Sequence, residues 1–189
     1  MSKAERVHGQ YSDVMLIREA SAADAFGIAR VHVDAWRAAY QGLMPQNVLD
    51  SLSMDEISER WGRMITEPEP SSRLLVAERD GVVLGWSSFG PAREKDAPAN
   101  GELWGIYTHP ECWSTGLGRA LLAAVEEGFR NAGYDHAYLW VLDGNDRAVR
   151  FYERNQWASD GALKVDERPG MSLRERRHVK LLGSAIDRE

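Results

Sequence analysis

Residues 101 to 131, GELWGIYTHPECWSTGLGRALLAAVEEGFRN, limit this chain's folding choices more than any other stretch. An apolar run from Gly101 to about Thr108 has the character of a strand, and Pro110 stops it. A short loop follows, and apolar residues then recur at Leu117, Leu121, Leu122, Val125 and Phe129, the spacing of a helix with one buried face. This helix is expected from about Thr115 to Asn131, with Gly133 closing it. Between strand and helix sit Gly116 and Gly118. Glycines there let the backbone approach a ligand without Cβ interference. A helix N-terminus offers free amides and the positive end of the macrodipole, and Arg119 adds a cation. This chemistry suits a phosphate or pyrophosphate. Gly-x-Gly before a helix is also an ordinary loop, so the pattern alone does not decide. Two nucleotide motifs are excluded: Gly118-Arg119-Ala120 stands where a Walker loop needs Gly-Lys-Ser/Thr, and Leu121 occupies the third glycine position of a dinucleotide fingerprint.

The rest of the chain supplies partners for this unit. Residues 1–13 have the composition of a flexible tail, and a domain is expected over 14–184. A short strand at Val14–Glu19 precedes a helix, capped by Ser21 with Asp24 three residues on, running to about Tyr40. A second helix is expected over Met54–Ile65. Asp80-Gly81 between two β-rich runs predicts a hairpin. HAYLWVL (136–142) predicts a buried strand, NDRAVRFYERN a helix with Asn145 as N-cap, and two strands follow at about 158–165 and 175–182. The order β, α, α, β, β, β, α, β, α, β, β is not the strict alternation of a doubly wound fold. It predicts an α/β chain with a central mixed, mostly antiparallel sheet flanked by helices.

The 189 residues suit one domain. A net charge of −6 argues against a duplex nucleic-acid partner, which favours a basic face. No apolar run is long enough to span a membrane, and the polar N-terminus is not a signal peptide, so a cytoplasmic setting is expected. A single cysteine, Cys112, excludes an internal disulfide. His32, His109, His136 and His178 show no metal-ligand spacing, and no metal is expected. Trp86, Trp104 and Trp140 are expected in the core.

IYTHPECWSTGLGRALL resembles the acyl-CoA-binding segment of the GNAT superfamily of N-acetyltransferases. In that family an apolar strand and a Pro lead to Gln/Arg-x-x-Gly-x-Gly/Ala at a helix start. Pro110, Gly116 and Gly118 match, whereas Trp113 stands at the Gln/Arg position. NDRAVRFYERNQW resembles a second family motif, Asn-x-x-Ala-x-x-Phe-Tyr-x-x-x-Gly-Phe, through Asn145, Ala148, Phe151 and Tyr152. There Gln156 and Trp157 replace the Gly and the Phe.

The resemblance implies a GNAT-like fold, acetyl-CoA as co-substrate without a metal, and transfer of an acetyl group to a primary amine by direct attack on the thioester. The acceptor, a small-molecule amine or a protein or peptide amine, is not named by the sequence. A homodimer is common in the family. The resemblance assigns the backbone of Ile106, Tyr107 and Thr108 to the thioester and pantetheine arm. The loop of Trp113, Ser114, Thr115, Gly116, Leu117, Gly118 and Arg119 goes to the pyrophosphate, and Asn145 to the pantetheine arm or to its cap. Tyr152 is the expected general acid for the thiolate, with core aromatic as the alternative. Glu102 is the candidate base, with strand-end carboxylate as the alternative. Period-two alternation places Glu102, Trp104 and Ile106 on one face and Leu103, Gly105 and Tyr107 on the other. Trp36 and Tyr40 share a helix face and are the candidate acceptor-binding pair, or else simple core. The basic run RERRHVK (174–180) is expected at a solvated strand edge, or near the 3′-phosphate of CoA. A non-catalytic acyl-CoA sensor of the same fold is the main rival, and a nucleotide-binding regulator the second.

Overall fold

The computed structural model of the chain describes residues 15–94, 100–168 and 171–183. The expected tail at 1–13, Val14 at the head of the first strand, the Pro169-Gly170 loop and the domain end at 184 lie outside these residues. Among the described residues, twelve strands and α-helices follow in chain order, besides two short 3-10 turns at Ala22–Asp24 and Pro110–Cys112. They are strand β1 (Leu16–Glu19), helices α1 (Ala25–Ala39), α2 (Gln46–Asp50) and α3 (Met54–Thr66), strands β2 (Arg73–Arg79), β3 (Val82–Pro91) and β4 (Gly101–Thr108), helix α4 (Leu117–Asn131), strand β5 (His136–Leu142), helix α5 (Asp146–Arg154), and strands β6 (Ala158–Arg168) and β7 (Met171–Leu181).

The strands form one sheet in the order β1-β2-β3-β4-β5-β7-β6. Only β4 and β5 run parallel; every other neighbouring pair is antiparallel. The expected mixed, mostly antiparallel sheet is therefore present. Asp80 and Gly81 both take positive φ, the turn that matches the twist of a two-residue hairpin. One face of the sheet packs α4 and α5 around Leu121, Leu122, Val125 and Trp157. The other packs α1 and α3 through Ile28, Val31, Ile57 and Trp61. Burying both faces demands apolar residues at most inward positions, which the strand sequences supply.

Four expectations are corrected. The short α2 was not foreseen, because five residues are too few to show a helical period. α4 starts at Leu117 rather than Thr115, because Gly116 takes a left-handed φ of 94°. RERRHVK is not an edge: β7 lies between β5 and β6, and its cations are paired. Arg174 and Arg176 meet Asp143, Arg177 meets Asp160 and Glu94, and Lys180 meets Glu126. Finally, the face assignment along β4 fails. Ser88 pairs with Gly105 but Phe89 with Leu103, so Trp104 is an extra residue, a β-bulge. Beyond the bulge the alternation inverts. Leu103 and Ile106 both pack on the α4 side, while Glu102 faces Tyr138 on the other.

Candidate active-site cleft

The bulge positions the site. β4 pairs with β5 only from Gly101 to Leu103, opposite Ala137 to Leu139. After Trp104 the two strands diverge, and between them opens a cleft of about 850 Å³. The peptide groups of Trp104 to Thr108 on the β5 side have no strand partner among the described residues. Backbone donors and acceptors left open along a groove are what an extended, amide-bearing chain pairs with.

At one end the cleft meets the start of α4. Ser114 (φ 63°) and Gly116 (φ 94°) bend the loop so that the first helical turn faces the cavity. Gly116 carries no capping side chain, and the amides of Leu117, Gly118 and Arg119 have no acceptor among the described residues. A Cβ on Gly118 would sit 3.5 Å from Phe151, ordinary contact, so packing alone does not demand glycine there. Arg119, Arg147, Arg150 and Arg154 add positive charge to the lining. The Trp113 indole is fixed by its Nε1, which donates to the Thr108 carbonyl at 3.1 Å. The Arg147 guanidinium lies 3.3 Å above the centre of that ring. Burial lowers the Arg147 pKa, and no ion-pair partner offsets it among the described residues. This end of the cleft can hold a pyrophosphate.

Tyr152, on α5, borders the same cleft. Its hydroxyl makes no hydrogen bond to the described residues, and burial, then the neighbouring Tyr107, pushes its pKa well up. It is therefore a protonated phenol at neutral pH. Asn145 caps α5, its Oδ1 accepting from the Ala148 amide at 3.1 Å. It also lines the cleft, so the two roles expected of it are geometrically compatible.

The other end is aromatic. Trp36, Tyr40, Trp104, Tyr107 and Trp140 form its walls. The Tyr40 and Tyr107 hydroxyls are hydrogen-bonded at 2.8 Å. Burial, then Tyr107, raises the Tyr40 pKa well above its ordinary value. Trp36 and Tyr40 meet edge to face at 5.3 Å, so this pair is both packed and cleft-lining. Behind the wall, His32 stacks on Trp36 at 4.8 Å and on Trp86 at 5.7 Å. Burial, with help from Arg60, lowers its pKa to about 4.

Glu102 is not brought to this site. It is 2% exposed and does not line the cleft. Its carboxylate accepts from the Arg93 amide at 2.9 Å, from the Arg93 guanidinium at 2.5 and 3.1 Å, and from the Tyr138 hydroxyl at 3.0 Å. Burial pushes its pKa up, but these donors outweigh burial and hold it below the ordinary carboxylate value. A carboxylate so engaged ties the strand end to the loop at Arg93.

Sequence reasoning placed Trp104 and Trp140 in the core; both are half-buried and line the cleft. It also passed over Arg147 and Glu175, the latter a β7 residue that borders the cavity. Arg147 lies inside the NDRAVRFYERN motif, where a cation two residues after the cap was a usable clue. Glu175 lay within a charged run that carried none.

Comparison with known proteins bears on the family and the fold. Residues 32–156 match the family model described as acetyltransferase (GNAT) family. The chain is 35% identical over 141 residues to the uncharacterized N-acetyltransferase YuaI of Bacillus subtilis, covering 74% of this chain and 78% of that one. It is 38% identical over 75 residues to the L-amino acid N-acyltransferase MnaT of Escherichia coli, covering 40% and 43%. Among solved structures, the PaiA N-acetyltransferase of Thermoplasma acidophilum in complex with coenzyme A superposes with a TM-score of 0.65 at 21% identity, covering 89% of this chain and 99% of that one. The yncA protein of Salmonella typhimurium, with its cofactor acetyl-CoA, gives 0.66 at 22%, covering 91% and 96%. The chain belongs to the GNAT family of acetyltransferases.

Proposed function

We propose that the chain transfers an acetyl group from acetyl-CoA to a primary amine by direct attack on the thioester. One observation carries this reading: the wedge between β4 and β5 runs from the open amides of the α4 start to the unpartnered hydroxyl of Tyr152. The loop from Trp113 to Arg119 holds the pyrophosphate, with Arg147 beside it. The backbone of Ile106, Tyr107 and Thr108 pairs with the pantetheine arm and polarises the thioester carbonyl as it gains charge. Asn145 supports that arm.

The acceptor amine enters from the aromatic end, past Trp36 and Tyr40. An ammonium has no lone pair, so it must lose a proton before its nitrogen attacks. That first proton goes to solvent; the N–C bond then forms, the C–S bond breaks, and the nitrogen releases a second proton to solvent as it becomes the amide. Tyr152 donates its proton to the departing thiolate and is reprotonated from solvent. Its raised pKa keeps the phenol protonated at neutral pH, so the proton is present when the sulfur leaves.

Calorimetry with acetyl-CoA, with ATP as control, tests the cradle. Thiol release from acetyl-CoA in the presence of mixed amines tests the transfer. Micromolar binding of acetyl-CoA but not ATP, with amine-dependent thiol release, is the expected result. Binding without release would make the chain an acyl-CoA sensor, and equal binding of ATP would make it a nucleotide regulator.

A further inference from the structure

Charge is unevenly divided along the cleft. All four lining arginines come from the first turn of α4 and from α5. Among the described lining residues there is one carboxylate, Glu175, and it comes from β7. Its register puts it opposite Leu142 on β5 and Lys164 on β6. Leu142 packs with Tyr40, Met44 and Leu173 beneath the aromatic walls, and the Glu175 charge is felt at the Tyr40 phenol.

The Glu175 side chain is 19% exposed and has one ion-pair partner among the described residues, Lys164 Nζ at 3.2 Å. Lys164 is itself 37% exposed, and its Nζ also lies 4.4 Å from the centre of the Trp140 ring. An ionised carboxylate accepts about four hydrogen bonds, so a single long-armed, solvated cation leaves most of its capacity unused. The same cleft is lined by Trp36, by Trp104 with Arg93 over its ring, and by Trp140 with Lys164 and Arg177 over its ring. Such faces hold flat apolar bodies and attract cations. Two arginines stand on these walls, Arg93 5.3 Å from the centre of Trp104 and Arg177 5.7 Å from that of Trp140, but Arg93 is paired with Glu102 and Arg177 with Glu94 and Asp160, and Glu175 repels a carboxylate.

Resting on the acetyltransferase reading above, we infer that Glu175 binds the ammonium of the acceptor, and that the acceptor is an amine on an apolar, aromatic-like body without its own carboxylate. Tryptamine and tryptophan test this, because they share a ring and differ by one carboxylate. Each is titrated by calorimetry into the CoA-saturated protein, and its acetylation is followed by thiol release. Wild type is expected to bind tryptamine at least tenfold more tightly than tryptophan.

Glu175→Gln is expected to raise the tryptamine Kd and KM tenfold or more, to change kcat less than threefold, and to leave the acetyl-CoA Kd unchanged. Lys164→Gln separates binding from mere support of the strand pair. It removes the competing cation, so tryptamine affinity should hold or rise, whereas a structural pair would make both variants fail alike. Tryptophan preference, an unmoved tryptamine Kd in Glu175→Gln, parallel losses in the two variants, or no tryptamine binding to wild type each overturns the inference. Glu175-dependent binding without thiol release would instead sink the transfer reading and leave this one standing. Acetylation of other amines indifferent to Glu175 would do the reverse.

Discussion

The two ends of the cleft are built on different principles. The end proposed to hold the phosphates is mostly backbone: a left-handed Gly116, the open amides of one helical turn, and arginines from one neighbouring helix. Backbone donors are the same whatever the side chain, so this end needs only a few small residues at fixed spacing. The acceptor end is side chains, contributed by α1, β4, β5 and β7, which meet only after the whole sheet has formed. No short spacing specifies it, and each wall can change without disturbing the cradle. One end can therefore keep a single ligand across a family while the other varies.

Between the two ends lies Tyr152, and breaking it should have the largest effect. Tyr152→Phe keeps the ring but removes the proton proposed for the thiolate. Loss of a positioned acid costs about 10²-fold or more in kcat. Steady-state kinetics should show that loss with the acetyl-CoA Kd within about twofold of wild type. An unchanged kcat would make Tyr152 a packing residue and leave the thiolate to solvent.

Gly118→Glu attacks the cradle. The protein itself accommodates a Cβ at this point, since Phe151 is 3.5 Å away. The added carboxylate therefore meets the bound phosphate rather than a packed wall, and like-charge repulsion there should raise the acetyl-CoA Kd on the order of 30-fold. Calorimetry on the variant, with its melting temperature as a folding check, measures this. A normal Kd in a folded protein would move the pyrophosphate away from α4.

The acceptor end should instead show itself in stability against pH, through His32. Its folded pKa is about 4, below the usual 6.5, because burial disfavours the charged ring. The folded state thus binds fewer protons than the unfolded chain between pH 6.5 and 4. Stability from this site is complete above pH 6.5 and falls as pH drops through that window. At pH 5 the loss is about 2 kcal/mol relative to pH 7.5. Urea unfolding at both values should show it, and His32→Phe, which cannot titrate, should shrink the difference by about that amount. An equal pH dependence in the variant would mean that the ring is not held neutral by its aromatic neighbours.

The same contrast explains what the sequence disclosed. The loop and its helix were legible because glycine, proline and helical period are local properties of the chain. So was the hairpin at Asp80-Gly81, which takes the positive φ values its residue types invite. The bulge at Trp104 was not legible, because it arises from the pairing of β4 with β3, and it reversed the faces assigned to Ile106 and Tyr107. Glu102 looked like a base because it opens the right strand; its engagement by Arg93 and Tyr138 depends on residues 9 and 36 positions away. RERRHVK looked like an edge because charge is common there, but strand order is a global property. Glu175 was hidden in that run for the same reason.

Arg147 marks where the two principles meet, and its removal should have the smallest effect. At the position where the family motif has Gln or Arg, this chain has Trp113, and the Arg147 guanidinium lies 3.3 Å above that indole. The cation arrives from α5 instead of from the loop, held by the ring rather than by a carboxylate. Partial burial without an ion partner among the described residues makes it favour an anionic ligand. Arg147→Ala should weaken acetyl-CoA binding by about three- to tenfold, the range of one charge-assisted contact beside a backbone cradle that remains intact. The loss should shrink as salt rises from 0.05 to 0.5 M, because screening already weakens the wild-type contact. Trp113→Ala should reproduce part of it, since the guanidinium then loses its platform. If Arg147→Ala binds acetyl-CoA like wild type at low salt, the backbone alone holds the pyrophosphate, and the division between a backbone end and a side-chain end becomes complete.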